Sequence, residues 1–165
     1  MTGPDPDGLE RLWTPWRMAY VGGARSADCP FCVAPVDDPD GLVVARGEAV
    51  YAVLNRFPYN PGHLLICPYR HIDDYPELDA AETAELAEFT KTAMRVVRKV
   101  SSAHGFNIGL NQGHAAGAGI AAHLHQHVVP RWGGDNNFLP VVARTKALPQ
   151  LLTDTRDLLR EAWPA

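Results

Sequence analysis

The spacing of hydrophobic positions changes period along the chain, and each change marks an element. Leu42–Arg46 and Ala49–Leu54 are dense in apolar and β-branched residues around the polar break "RGE", which predicts a β-hairpin. His63–Cys67 predicts a third strand. From Asp79 to Ala103 the period turns helical: Leu86, Phe89, Ala93, Val96, Val97 and Val100 recur on one stripe. Asp79 and Glu82 have the spacing of a capping box, and Gly105 is the expected stop. Phe106–Asn111 alternates as a fourth strand, with Phe106, Ile108 and Leu110 on one face. A glycine-rich turn over 113–122 leads to a fifth strand, His123–Val129, which Pro130 is expected to end. An amphipathic helix then runs from about Pro149 through Leu158 and Leu159 to Trp163. This order predicts an α+β fold with a mainly antiparallel sheet.

The N-terminal third has no such period. Residues 1–8 read as a disordered tail, and Leu9–Val21 as an anchoring segment carrying Trp13, Trp16 and Tyr20, broken by Pro15. Residues 22–41 are rich in Gly, Pro and Asp and read as a loop, which at that length needs a tie. Cys29 and Cys32, a C-x-x-C within it, are candidates for that tie. Residues 9–165 are therefore expected to form a single domain with its core in 29–140.

Composition narrows the function classes. The 165 residues are 46% hydrophobic and 21% charged, with net charge −4, so no basic field favours nucleic acid or an anionic membrane. No apolar run approaches the ~20 residues of a membrane span, and the polar N-terminus lacks a secretory signal, so a cytoplasmic location is expected. Three cysteines exclude a fully paired disulfide framework. Cys67, in an apolar run, reads as a small buried hydrophobe.

The densest chemistry is in "HLHQHVV", where His123, His125 and His127 alternate. On a strand such residues share a face, about 6.6 Å apart at Cα for neighbours. Three in one straight strand reach a single tetrahedral ion only with difficulty, so the spacing favours a row of imidazoles facing a phosphate chain. One triad histidine can still serve a metal while its neighbour stays free. His104 and His114 read as solvated.

These residues resemble the histidine-triad (HIT) superfamily of nucleotide hydrolases and transferases, with Gln126 standing at a usually apolar position. "AVLNRFPYNPGHLLICPYRHI" and "NIGLNQG" resemble further elements of that family. "LWTPWRMAYV" and "HVVPRWGGDNNF" look like its bacterial diadenosine tetraphosphate (Ap4A) phosphorylase-type members. The resemblance implies a five-stranded antiparallel sheet with two helices, usually in a homodimer. It implies covalent nucleotidyl transfer with His125 as nucleophile, and His127 holding phosphate oxygens and assisting the leaving group. It assigns substrate contacts to Asn55, His63 and Gln112, and to the main chain near Gly119 and Ile120; Trp132 is a candidate for stacking on a base or for burial at the rim. Many members carry Gln-Ser or Gln-Thr where this chain has Gly119-Ile120, which shifts phosphate handling to main chain, His127, Arg131 or Lys146. In zinc-containing members, Cys29, Cys32, His71 and His123 would complete a structural Cys₂His₂ site; no organic cofactor is expected. The expected substrates are an adenine dinucleotide or mononucleotide and inorganic phosphate, giving ADP and ATP from Ap4A. A hydrolase of the same substrates, an adenylyl phosphoramidase and a non-catalytic nucleotide-binding module are the alternatives. Uridylyl transfer is disfavoured, because that branch resembles H-P-H-P-Q.

Overall fold

A computed structural model of the chain describes residues 29–135 and 149–164. The tail, the Leu9–Val21 segment and Lys146 lie outside them. Five strands, β1 (Val43–Arg46), β2 (Val50–Leu54), β3 (Leu64–Pro68), β4 (Gly105–Leu110) and β5 (Gln126–Arg131), form one antiparallel sheet in the order β1-β2-β3-β5-β4. Three helices pack on it: α1 (Pro30–Asp37), α2 (Ala80–Ser101) and α3 (Leu152–Ala162). None of the helices among the described residues is long and apolar enough to cross a membrane.

Both faces of the central strands are buried, and register separates them. Leu64 pairs with Val128 and Ile66 with Gln126, so these side chains share the face under α2, where Gln126 Nε2 donates to Thr90 Oγ1 at 2.6 Å. The polar Gln126 at that site is thus satisfied by the helix. Leu65 pairs with His127 and Val53, and Cys67 with Tyr51, which puts Tyr51, His63 and His127 on the opposite face. The capping box of α2 is present: Glu82 N donates to Asp79 Oδ1 at 2.8 Å and Asp79 N to Glu82 Oε2 at 2.9 Å. Glu85, on the same helix, accepts from the amides of Glu48, Ala49 and Val50 and so fixes the β1–β2 turn.

Three expectations change. The 22–41 loop contains a helix, because Pro30 is preset for a first turn and Cys29 O accepts from Val33 N at 3.1 Å. Pro35 within α1 has no N–H to give Phe31 O, and Tyr51 Oη donates to that oxygen instead at 2.6 Å. This bond ties α1 to the sheet. Helix α2 ends at Ser102, in the left-handed region with φ 52°, and Gly105 opens β4 rather than stopping the helix. The fifth strand starts at Gln126, so His123 and His125 precede it, and it runs through Pro130. Proline is tolerated there because β3 does not extend that far: Gly62 lies opposite, its missing Cβ 3.6 Å from Pro130 Cγ.

Candidate active site and metal centre

Each histidine of the triad has one ring nitrogen fixed by a main-chain group or by a histidine so fixed, and that assigns its role. His123 Nε2 lies 2.9 Å from Pro68 O; a carbonyl only accepts, so the proton sits on Nε2 and the Nδ1 lone pair points the other way. There it meets Cys29 Sγ at 3.4 Å and Cys32 Sγ at 3.5 Å, while His71 Nδ1 is 3.2 Å from Cys32 Sγ. All four donor atoms fall within 4.8 Å of one another. A tetrahedral zinc with ordinary Zn–N and Zn–S bonds sets donors about 3.3–3.8 Å apart, so the four residues fit that ion. Burial and the neighbouring Cys29 sulfur push the Cys32 thiol up, and a cation is what would let both sulfurs ionise together. Helix α1 supplies Cys32 from its first turn, with Cys29 at its N-cap.

His125 is the next ring, 7% exposed, with Phe31 of α1 packed on it at 4.8 Å between centroids. Its Nδ1 lies 2.8 Å from His123 O, so Nδ1 carries the proton and Nε2 presents a lone pair. Burial lowers its pKa below the usual imidazole value, outweighing the carbonyl, which favours the charged ring. The result is an uncharged ring nitrogen with a fixed aim.

His127, the first inward residue of β5, pairs with fully buried His63. Tyr59 N donates to His63 Nδ1 at 3.0 Å, so His63 carries its proton on Nε2 and gives it to His127 Nδ1 at 2.9 Å. A neutral His127 then holds its own proton on Nε2, 3.5 Å from Asn111 Nδ2, and the Asn111 carboxamide turned over would bring its oxygen there to accept. Burial, with His127 and His125 adding to it, lowers His63 to about 3, so it stays neutral. Tyr59 stacks parallel to His127 at 5.7 Å. A groove of about 370 Å³ opens beside His127, lined also by Tyr59, Asn107, Asn111, Val129 and Arg131.

The other expected site residues divide. Asn55 sits by His63, its Nδ2 at 3.4 Å from Nδ1, while its Oδ1 accepts from Phe57 N at 2.9 Å and shapes the loop. Gln112 is exposed and donates to Asp74 Oδ1. Gly119 is half-buried and Ile120 packs against the core, so no side-chain donor stands at either position. Trp132 is not among the groove residues: its Nε1 donates to Ser101 O at 3.0 Å, and it lines a separate cavity with Val97, Val100 and Leu159. Sequence reasoning missed Phe31, Tyr59 and Asn111. Asn111 adjoins Gln112 in "NIGLNQG", and Tyr59 lies in the loop before His63, so proximity to named motifs was the available signal.

The fold and the ordered histidine site together define a class. The HIT domain family pattern matches residues 38–134, and the chain belongs to that family. It is 52% identical to a Mycobacterium tuberculosis protein named AP-4-A phosphorylase, over 95% of this chain and 86% of that one. It is 34% identical to the bis(5'-nucleosyl)-tetraphosphatase [asymmetrical] of Schizosaccharomyces pombe, over 56% of this chain and 50% of the relative. Among solved structures, a zinc-bound histidine triad family protein from Mycobacterium smegmatis aligns with a TM-score of 0.68 and 29% identity, covering 82% of this chain and 92% of the other.

Proposed function

We propose that this protein is a dinucleoside polyphosphate phosphorylase that converts Ap4A and phosphate to ADP and ATP. His125 Nε2 attacks the α-phosphorus, forming an N–P bond as the bond to the leaving ATP oxygen breaks. His127 donates an Nε2–H hydrogen bond to that oxygen, which leaves as the ATP anion, and phosphate then displaces His125 to give ADP. The Nδ1–H of His125 on the His123 carbonyl carries this reading, because it alone fixes which nitrogen is nucleophilic. Main-chain N–H groups of Gly119 and Ile120 hold developing charge on the phosphorus oxygens, and Asn55 and Gln112 contact the substrate. Phosphate as acceptor is supported by the 52% identity to a protein named AP-4-A phosphorylase. Incubation of Ap4A with and without phosphate tests it: ADP plus ATP only with phosphate is expected, whereas AMP plus ATP in either case identifies a hydrolase.

Zinc belongs at Cys29, Cys32, His71 and His123, where it would be structural and hold α1 against the segment that carries the nucleophile. A cysteine pair committed to a metal rather than to a disulfide suits the reducing cytoplasm. The assembly is a homodimer. Edge strand β4 has the uncharged sequence GFNIGL, and Ile108, which shares the α2 face with its partner Val128, is still 46% exposed, an edge that a second copy would protect.

A further inference from the structure

The groove beside His127 ends on a feature the chemistry above leaves unused. Arg131 closes β5, four residues beyond His127, and its guanidinium is held on two sides. Nε donates to Asp135 Oδ2 at 2.6 Å and Nη2 to Asp135 Oδ1 at 3.0 Å, while Nη1 donates to Asn107 Oδ1 at 2.8 Å. Asp135 is itself braced: Asn60 Nδ2 donates to Oδ2 at 2.9 Å, and burial of the carboxylate (9% exposed) contrasts with the 39% exposure of Arg131. The carboxylate therefore sits inside as a brace, and the cation faces out. Of five guanidinium N–H groups, three are engaged among the described residues. The remaining two, one on each Nη, are charged donors that phosphate oxygens can take. Arg131 is the one formally charged side chain among the groove residues.

Its position suits the same ligand. Asn107 pairs with Val129, so the guanidinium that reaches Asn107 leans back along the strand toward His127. At ~3.3 Å per residue this brings it to about 7 Å from the His127 position, a reach of a few phosphate units. Tyr59, Asn107 and Asn111 line the way with neutral donors and an aromatic wall.

Resting on the proposed reaction, we infer that Arg131 is a phosphate clamp for oxyanions beyond the phosphorus that His125 attacks, with Asp135 and Asn107 as its positioning residues. Two sources share that chemistry: the distal phosphates of the dinucleotide, and free inorganic phosphate as acceptor. Arg131→Gln separates them. If the clamp takes the chain, kcat/KM for Ap4A falls about tenfold, while a donor with a single phosphate, adenosine 5'-phosphoramidate, reacts as with wild type. If it takes the acceptor, adenylyl-enzyme forms from Ap4A at the wild-type rate and the KM for phosphate rises about tenfold. Either result supports the clamp. Equal losses with both donors at unchanged phosphate KM, or no change at all, overturn it.

Binding of inorganic tripolyphosphate by calorimetry gives a second reading independent of turnover. Wild type should bind it and Arg131→Gln should bind it about tenfold more weakly; equal binding by both, or none by wild type, counts against the clamp. Should Arg131→Gln fail to fold, Arg131→Lys, which keeps the charge and loses the guanidinium, carries the same comparisons with a smaller loss expected. A wild type that binds tripolyphosphate yet turns over no adenylyl donor would refute the proposed reaction and leave the clamp standing.

Discussion

Two pairs of imidazoles lie within a few residues of each other and are built to opposite ends. At one end His123 gives its Nε2–H to Pro68 O and turns Nδ1 toward two sulfurs and His71. At the other, His63 accepts a hydrogen bond from the Tyr59 amide and donates one from its Nε2–H to His127, which turns Nε2–H toward an open groove. One cluster collects lone pairs and suits a cation; the other presents a proton and suits an anion. Between them His125 donates its Nδ1–H to the His123 carbonyl, so the Cys/His cluster sets the direction of the His125 lone pair through one peptide group. The role of each triad ring follows from what holds its far nitrogen: a carbonyl for His123 and His125, and His63 for His127.

The largest effect should come from the residue shared by both halves. Replacing His125 with glycine should lower Ap4A turnover by about 10⁴-fold or more, because covalent catalysis is lost while folding and nucleotide binding remain. Steady-state assays with added Ap4A measure this, and binding of AMP checks that the site persists. Cys32→Ser probes the sulfur end. It should remove bound zinc, found by metal analysis, and reduce activity about 10–100-fold by loosening the segment that aims His125. Full activity in a metal-free variant would separate the two halves and refute their coupling.

The histidine pair at the other end predicts an acid dependence. His63, faced by Tyr59, Asn55, His127 and His125, is lowered to about 3 from 6.5, so the unfolded chain binds its proton first. Stability from this group is therefore complete above about pH 6.5 and is lost as pH falls toward 3, by up to about 1.4 kcal/mol per pH unit. Urea unfolding at several pH values should show a shallower dependence for His63→Gln than for wild type. The smallest effect concerns the tie between α1 and the sheet. Tyr51→Phe leaves Phe31 O buried without its donor and should cost about 1–3 kcal/mol, read in the urea midpoint.

The sheet, the long helix and its capping box were legible because their signals are local: alternation, a helical stripe, and Asp79 three residues before Glu82. Helix α1 was hidden because two prolines and a glycine-rich surround read as loop, and the group that rescues Phe31 O, the Tyr51 hydroxyl, is twenty residues away in sequence. The stop of α2 at Ser102 was missed because a serine in the left-handed region has no composition signal, whereas Gly105 has one. Pro130 looked like a strand end, but its tolerance depends on β3 beginning only at Leu64, opposite Val128, a fact of register between distant segments. At the site, the donor set Cys29, Cys32, His71 and His123 came from the family resemblance and comes together in space. The supporting shell of Phe31, Tyr59 and Asn111 is non-local and could not be read from spacing. Trp132 could be named but not placed, since its hydrogen bond to Ser101 O is set by the end of α2.

The central claim is that His125 Nε2 forms a bond to phosphorus. Protein mixed with Ap4A in the absence of phosphate, quenched within milliseconds and digested, should give an acid-labile adenylyl adduct on the peptide that contains His125, and His125→Gly should give none. Release of ATP by wild type with no adduct at any time, or an adduct on another residue, would contradict it.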